Sequence, residues 1–260
     1  MSTPHAHSGF TLIELSIVLV IIGLLVGGVL AGATLIEAAQ IRSQIGQIER
    51  LSLATNTFKQ KYNGLAGDLY ATAASVGLPA VAGNGNDNHV INNFNDATGI
   101  AYVTQTVWEP SYFFGQLMAA NLLEKNLICT NNGNAEFSDL GLSGYYATAI
   151  NPKYGMLAFT YNASTWIYLG VNTVPAACDF IHVGGVSTAG ILSAPQSYNI
   201  DRKLDDGIPA TGIVRATHQN WFNELDGTIE DTAGECVVDA TSQAYNVTNT
   251  NLTCRLMVKL

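Results

Sequence analysis

The chain has 260 residues, of which 48% are hydrophobic and only 12% charged, and its formal net charge is −9. A filament that coats nucleic acid needs clustered Lys and Arg, so this acidic balance excludes a nucleic-acid partner. The length allows one membrane helix and one sizeable globular domain, and the scarcity of charge suits an exported surface rich in turns and strands.

The first predicted element starts at the stretch Gly9-Phe10-Thr11-Leu12-Ile13-Glu14. The 22 residues from Leu15 to Ile36 contain no charged residue and no proline. About 20 apolar residues are enough to cross a bilayer as a helix, so residues 10–36 are predicted to form a transmembrane helix. One carboxylate, Glu14, lies at its start, where a charge costs less than at the centre but still requires a partner.

This pattern closely resembles the N-termini of type IV prepilins and of the pseudopilins of type II secretion. The resemblance implies that residues 1–9 are a leader peptide, that prepilin peptidase cuts after Gly9, and that Phe10 is then methylated on its nitrogen. It implies that Glu14 pairs with the free amine of a neighbouring subunit during assembly. The strict match covers residues 9–62, and the leader departs from the family by lacking Lys and Arg.

The same resemblance implies a location and a set of partners. The precursor is expected in the cell inner membrane as a single-pass protein with an exoplasmic or periplasmic head. Its expected partners are prepilin peptidase, the inner-membrane assembly platform, and copies of itself and other pilin subunits in a pilus or pseudopilus. A looser likeness to large pilin-like proteins covers the C-terminal two thirds, through residues 198–207 and the late cysteine pair.

Two alternatives concern this N-terminus. Glu14 lies one helical turn from the ammonium that cleavage would create at Phe10, but a glutamate there can also simply extend to the lipid headgroups. Ala31-Gly32-Ala33 has the form of a signal-peptidase site, although the leader has no basic residue and the apolar run is long for a signal peptide.

Four glycines interrupt the apolar run, at positions 23, 27, 28 and 32. Their Gly-x-x-x-Gly spacings allow helices to approach closely, and each glycine weakens a helix by about 1 kcal/mol relative to alanine. We therefore expect Gly23–Gly32 to be a soft segment that stretches when the subunit leaves the bilayer. The alternative is that these glycines serve packing alone.

Residues 37–62 change to an amphipathic pattern. Apolar residues recur at three- and four-residue steps, which predicts that the helix continues as the core element of the head; they are Ile41, Ile45, Ile48, Leu51, Phe58 and Tyr62. Asn63-Gly64 is a typical C-terminal stop.

Residues 63–108 form the predicted connection between the helix and the sheet, rich in Gly, Asn, Ala and Asp. Gly83-Asn84-Gly85-Asn86-Asp87-Asn88 weakly resembles a calcium loop, but Asn95 stands where the closing acid belongs, so an Asx-turn loop is favoured. A short helix is predicted over 109–123, and its aromatic cluster is expected in the core: Trp108, Tyr112, Phe113 and Phe114.

The C-terminal head, residues 109–260, is predicted to be mainly strands. Residues 144–150, 156–161 and 165–171 are rich in β-branched and aromatic residues, with a hairpin turn at 161–164, and short strands are expected at 213–216 and 255–259. Ser193-Ala194-Pro195-Gln196 has capping-box spacing and predicts a helix to Leu204. The fold class is therefore α+β and pilin-like, a long N-terminal helix packed on an antiparallel sheet with short inserted helices.

The four cysteines all follow the apolar run and have no zinc-like spacing, so disulfides are expected in an exported domain. Of the three possible pairings, Cys236–Cys254 and Cys129–Cys178 are favoured because each closes the shorter loop. The alternative is four buried free thiols.

Catalytic patterns are missing. The three histidines outside the leader are isolated, and no zinc-protease, nucleophile-elbow, phosphate-loop or dinucleotide motif is present, so the protein is expected to be no enzyme and to need no cofactor. Asp201, Asp205 and Asp206 form the only dense acidic cluster. Because major pseudopilins hold calcium in a C-terminal loop, calcium is kept as an alternative to a plain helix C-terminal turn.

The sequence therefore predicts a structural subunit of a type IV pilus or pseudopilus. The alternative is a membrane-anchored exoplasmic binding or enzymatic domain that uses a pilin-like N-terminus, favoured by the size of the head. A minor subunit at the filament tip is a third possibility within the first class.

Overall fold

The computed structural model describes residues 11–70, 78, 85–91, 109–128, 145–161, 163–172, 190–217, 235–238 and 244–260. The chain divides into two compact units, residues 1–42 and residues 43–260. Helix α1 (Leu12–Tyr62) begins in the first unit and ends in the second. It begins two residues after the predicted start, and it runs without a break through Gly23–Gly32.

Within the described residues, two further helices and six strands follow in chain order. They are α2 (Glu109–Ala119), β1 (Leu127–Ile128), β2 (Tyr145–Ala147), β3 (Tyr154–Tyr161), β4 (Ser164–Asn172), α3 (Ala194–Leu204), β5 (Val214–Thr217) and β6 (Arg255–Lys259). All strand pairs are antiparallel and the sheet order is β1-β2-β3-β4-β6-β5. The predicted α+β class, with a long N-terminal helix, an antiparallel sheet and short helices, is confirmed.

The C-terminal half of α1 buries the apolar stripe that the sequence predicted. Ile48, Leu51 and Phe58 are at most 3% exposed. The helix ends at Tyr62 because Asn63 takes a left-handed conformation, with φ of 52°, as the predicted Asn-Gly stop requires. Within the second unit, this half of α1 therefore supplies one wall of the core.

Two buried glutamines fix this half of α1 to the sheet. Gln47 Nε2 donates to the Ala147 carbonyl at 2.8 Å, and the Ala149 N–H donates to Gln47 Oε1 at 2.9 Å. Gln44 Oε1 accepts from the Ile150 N–H at 3.1 Å, and Gln44 Nε2 donates to Gln47 Oε1 at 3.1 Å. Buried polar side chains are stable in a core when they have hydrogen-bond partners. Gln44 and Gln47 have such partners, and their bonds fix the position of the helix against the end of β2.

Replacing Gln47 tests this attachment. Gln47→Ala should destabilise the protein by about 2–3 kcal/mol, because it leaves the buried Ala147 carbonyl and Ala149 N–H without partners. Gln60→Ala, at an exposed position of the same helix, is the matched control and should stay within about 0.5 kcal/mol. Thermal unfolding of the full chain in detergent measures both, and equal stability of the two variants would contradict the role given to Gln47.

The sheet is buried on the face that carries Met156 and Ala158 of β3. Their neighbours across the sheet on this face are at most 2% exposed: Ile167, Leu169, Leu256, Val258, Val214 and Ala216. Helix α2 packs beside β2, where Phe114 stacks on Tyr146 with ring centroids 5.3 Å apart. Tyr112, Phe113 and Phe114 are at most 8% exposed, so the predicted aromatic core is confirmed for these three, and Trp108 lies outside the described residues.

Several predicted boundaries need correction. Helix α2 ends at Ala119 instead of 123, and β2 is limited to three residues. Strand β3 begins at Tyr154, two residues before the predicted start, and its pairing with β4 has a bulge or irregularity between Gly155 and Met156. Strand β6 matches the prediction at both ends, and β5 lies one residue later than predicted.

Candidate assembly site

The predicted assembly site lies in the first turn of α1. Gly9 and Phe10, the predicted processing residues, lie outside the described residues. Thr11 directly precedes the helix, and Glu14 is its third residue. The structure therefore places Glu14 one turn into the helix, three residues after Thr11.

Thr11 and Glu14 bond each other reciprocally. Glu14 Oε2 accepts from the Thr11 N–H at 2.7 Å and from the Thr11 hydroxyl at 2.8 Å, and the Glu14 N–H donates to Thr11 Oγ1 at 3.3 Å. This is a capping box, in which two otherwise unpaired backbone N–H groups at a helix start find side-chain acceptors. The negative carboxylate also lies at the positive end of the helix dipole.

The capping box fixes one carboxylate oxygen and leaves the other available. Oε2 takes both Thr11 donors, and Oε1 receives no hydrogen bond from the described residues. The Thr11 N–H belongs to the peptide bond that joins Phe10 to Thr11. An amine at Phe10 would therefore start one residue from a carboxylate that is already oriented towards the chain end.

The sequence interpretation gave Glu14 an amine partner but missed Thr11. The signal was present, because Thr11-Leu12-Ile13-Glu14 has the Thr-x-x-Glu spacing of a capping box. The same spacing was recognised at Ser193, where the capping box is confirmed: the Gln196 N–H donates to Ser193 Oγ and the Ser193 N–H donates to Gln196 Oε1.

The surface of α1 beyond Glu14 is apolar and exposed. Every Leu, Ile and Val from Leu12 to Ile36 is between 51% and 89% exposed. An apolar surface of this extent needs lipid or other helices around it. The helix is long and apolar enough to cross a membrane.

A Cβ at any of the four glycines would meet nothing within 4 Å: Gly23, Gly27, Gly28 and Gly32. The space beside each of these glycines is therefore open in the part of the chain that the structure describes. Both the soft-segment hypothesis and the packing alternative stay predictions.

The acidic cluster Asp201, Asp205 and Asp206 lies at the C-terminal end of α3, with one ligand-type atom of each within 4.8 Å of the others. Asp206 accepts from the Ile208 N–H and from the Thr211 hydroxyl, and these bonds lower its pKa. Asp205 accepts from the N–H groups of Ile213 and Val214. These bonds close the turn between α3 and β5, which confirms the predicted helix C-terminal turn. Calcium binding at this cluster stays an untested alternative.

A second cluster joins Asp68, Asp87 and His89. Asp68 is fully buried and accepts from the N–H groups of Asn88 and His89 at 3.0 and 2.7 Å. Its burial raises its pKa. The cluster overlaps the loop that weakly resembled a calcium site, but Asn84 and Asn95 lie outside the described residues, and the carboxylate of Asp68 again serves as an acceptor for loop N–H groups.

The favoured disulfide between Cys236 and Cys254 is present. Both cysteines are buried, and Cys254 exchanges backbone hydrogen bonds with Leu192, directly before α3. The bond therefore ties the segment 236–254 to both α3 and β6. Cys129 and Cys178 lie outside the described residues, so their pairing stays a prediction.

Comparison with known proteins agrees with the N-terminal site. Residues 4–30 match the family model described as the prokaryotic N-terminal methylation motif. No curated protein and no solved structure matches the chain. The predicted recognition is thus confirmed for the N-terminal segment: the chain carries a prepilin-type methylation motif, which supports the type IV prepilin and pseudopilin family.

The match and the helix together describe the N-terminal part of the chain. It carries a prepilin-type methylation motif, followed by an apolar helix long enough to cross a membrane. The match ends at residue 30 and does not extend into the unit formed by residues 43–260.

Proposed function

We propose that this protein is a structural subunit of a type IV pilus or pseudopilus. The observation that carries the proposal is the capping box of Thr11 and Glu14 at the head of an exposed apolar helix, inside a prepilin methylation motif. In this proposal the protein catalyses nothing and requires no cofactor. It is instead a substrate of the processing enzyme.

Processing begins at Gly9. Prepilin peptidase cuts the bond between Gly9 and Phe10, and methylation of the new Phe10 amine leaves it positively charged. The Thr11 N–H and hydroxyl hold Glu14 Oε2, so Oε1 is the acceptor that remains for an ammonium. Attraction between the two charges grows as the dielectric constant falls, which favours pairing at the membrane interface or inside a bundle of helices.

Assembly transfers α1 from lipid to a bundle of neighbouring helices. Lipid tails and neighbouring helices are both apolar, so the transfer keeps the exposed Leu, Ile and Val side chains out of water. What selects the helical arrangement is close packing at small residues and the pairing of polar groups. The small residues for close packing are Gly23, Gly27, Gly28 and Gly32. The polar pair is Glu14 with an amine of an adjoining subunit.

The inner-membrane assembly platform and other pilin subunits are the partners that this function requires. The precursor would lie in the inner membrane with its head on the exoplasmic or periplasmic side, and afterwards in the filament. The acidic net charge of −9 supports a role without nucleic acid.

A membrane-anchored exoplasmic domain is the second candidate, and the size of the unit formed by residues 43–260 favours it. Sheared surface filaments distinguish the two when they are probed with an antibody to the head. Labelled fibres support the subunit role, with labels along the shaft for a major subunit and at one end for a minor one. Full retention of the chain in the membrane, with no labelled fibre, would support the anchored domain instead.

A further inference from the structure

The last turn of α3 contains a buried acid that bonds two other parts of the head. Asp201 is 0% exposed. Its Oδ2 accepts from the Tyr245 hydroxyl at 2.8 Å, and its Oδ1 accepts from the Gly207 N–H at 3.1 Å. Asp201 therefore joins α3 to the turn before β5 and to the segment that the Cys236–Cys254 disulfide closes.

Tyr245 is the residue through which that segment contacts α3 itself, in addition to the bonds of Cys254 with Leu192 before the helix. It lies within the loop closed by the disulfide and pairs with Val237 in an isolated β-bridge. Its ring lies 6.0 Å from the ring of Tyr198 on α3. The disulfide and the bridge thus cross-link the described residues of this segment, 236–238 and 244–254. The Asp201–Tyr245 bond and this ring contact attach them to the helix.

The charges around Asp201 do not neutralise it. Asp205 and Asp206 follow on the same helix end, where the carbonyl groups also disfavour a negative charge. Arg202 and Lys203 are exposed on α3. On β5, the guanidinium of Arg215 lies over the ring of Trp166, 5.4 Å from its centroid. The two donors that hold the carboxylate, Tyr245 and Gly207, are both uncharged.

This environment favours the protonated acid. Burial, together with the negative charges of Asp206 and Asp205, raises the pKa of Asp201 to about 6, although the bonds from Tyr245 and Gly207 lower it. A neutral carboxyl group still suits the geometry, because it can accept from the Gly207 N–H and exchange a hydrogen bond with the Tyr245 hydroxyl.

We propose that Asp201 and Tyr245 form a pH-dependent clasp that holds residues 236–238 and 244–254, joined by the Cys236–Cys254 disulfide, against α3, and that the clasp tightens on acidification. When the clasp opens, the carboxylate reaches water and returns to an ordinary pKa. The closed state then binds the proton more tightly than the open state. The added stability is complete below the ordinary pKa of an aspartate and is lost as the pH rises through about 6.

Hydrogen exchange on the full chain in detergent measures the clasp locally. The amides to follow are Gly207, Val238 and Asn246, which donate within or beside the clasp. After correction for intrinsic exchange rates, protection should be about tenfold higher at about pH 5 than at about pH 8, as a pKa near 6 in the closed state requires.

Two variants separate the clasp from ordinary acid effects. Asp201→Asn imitates the neutral acid, so protection should be high and independent of pH over the same range. Tyr245→Phe removes a bond that lowers the pKa of Asp201, so the midpoint of the remaining pH dependence should move above that of the wild type. The amides of Asn88 and His89, held by Asp68, are the internal control and should not respond to either variant.

Several results would overturn the clasp. In the wild type, amide protection that stays flat or falls on acidification would do so. A pH dependence of protection in Asp201→Asn that matches the wild type would also do so, as would a midpoint for Tyr245→Phe at or below that of the wild type. If Asp201→Asn does not fold, the wild type and Tyr245→Phe decide between these outcomes.

Discussion

Filaments are expected to disappear from cells that produce Glu14→Ala in place of the native chain. The substitution removes the only acid in the apolar half of α1 and leaves the Phe10 ammonium of an incoming subunit without a counter-charge in a low-dielectric surrounding. It also removes the acceptor for the Thr11 N–H and hydroxyl. Sheared fractions, quantified by immunoblot, should fall at least about tenfold while the membrane pool persists.

Two further variants distinguish charge from helix capping. Glu14→Gln keeps an acceptor for Thr11 and removes the charge, so it should lose filaments as Glu14→Ala does. Thr11→Val keeps the charge and the Thr11 N–H bond but loses the hydroxyl, so filaments should form at reduced yield. Filaments of Glu14→Ala as abundant as the wild type, with the same helical register, would remove Glu14 from the assembly mechanism.

The second large effect is expected from the C-terminal disulfide. The bond joins cysteines 18 residues apart, and closing a loop of about this size contributes about 3 kcal/mol by restricting the unfolded chain. A double replacement, Cys236→Ala with Cys254→Ala, should therefore lower the midpoint of urea unfolding substantially. The change should be reported by Trp and Tyr fluorescence of the full chain in detergent.

The control for the disulfide is the other predicted pair. Cys129→Ala with Cys178→Ala keeps the Cys236–Cys254 bond, so a reducing agent should still destabilise that variant. The variant with both Cys236→Ala and Cys254→Ala should lose little further stability when the reducing agent is added, because this site then holds no disulfide. An unchanged unfolding midpoint for that replacement would contradict the contribution assigned to the bond.

The parts of the fold that the sequence predicts are those set by neighbouring residues. The stop at Asn63-Gly64, the capping box at Ser193 and the alternation of β6 each depend on a few adjacent positions, and each is present. The role of Thr11 is equally local, because the capping box follows from its spacing of three residues from Glu14. The sequence interpretation considered only an amine as the partner of Glu14 and missed this role.

The parts that escaped prediction depend on distant residues. Gln44 and Gln47 lie between the apolar positions of α1 and have the polarity of a solvent face, but their partners are Ala147, Ala149 and Ile150, about 100 residues later. Nothing near either glutamine indicates burial. The two-residue strand β1 likewise has no pattern of its own and exists because β2 pairs with it.

Asp201 shows both cases at once. Its place at the helix end followed from the sequence, since Gly207 and the acids before it mark a C-terminal turn. Its complete burial and its bond to Tyr245 did not, because Tyr245 comes 44 residues later, in the segment closed by the disulfide. The raised pKa of Asp201 therefore depends mainly on burial, which the tertiary structure sets, and in part on its sequence neighbours Asp206 and Asp205.

The intact mass of the chain purified from membranes tests the account most directly. Removal of Met1 to Gly9 with the addition of one methyl group is the predicted result, and fragmentation should place that methyl group on Phe10. A mature chain that begins after Ala33 would have lost Glu14 and most of the apolar run, and it would contradict a filament built on this helix.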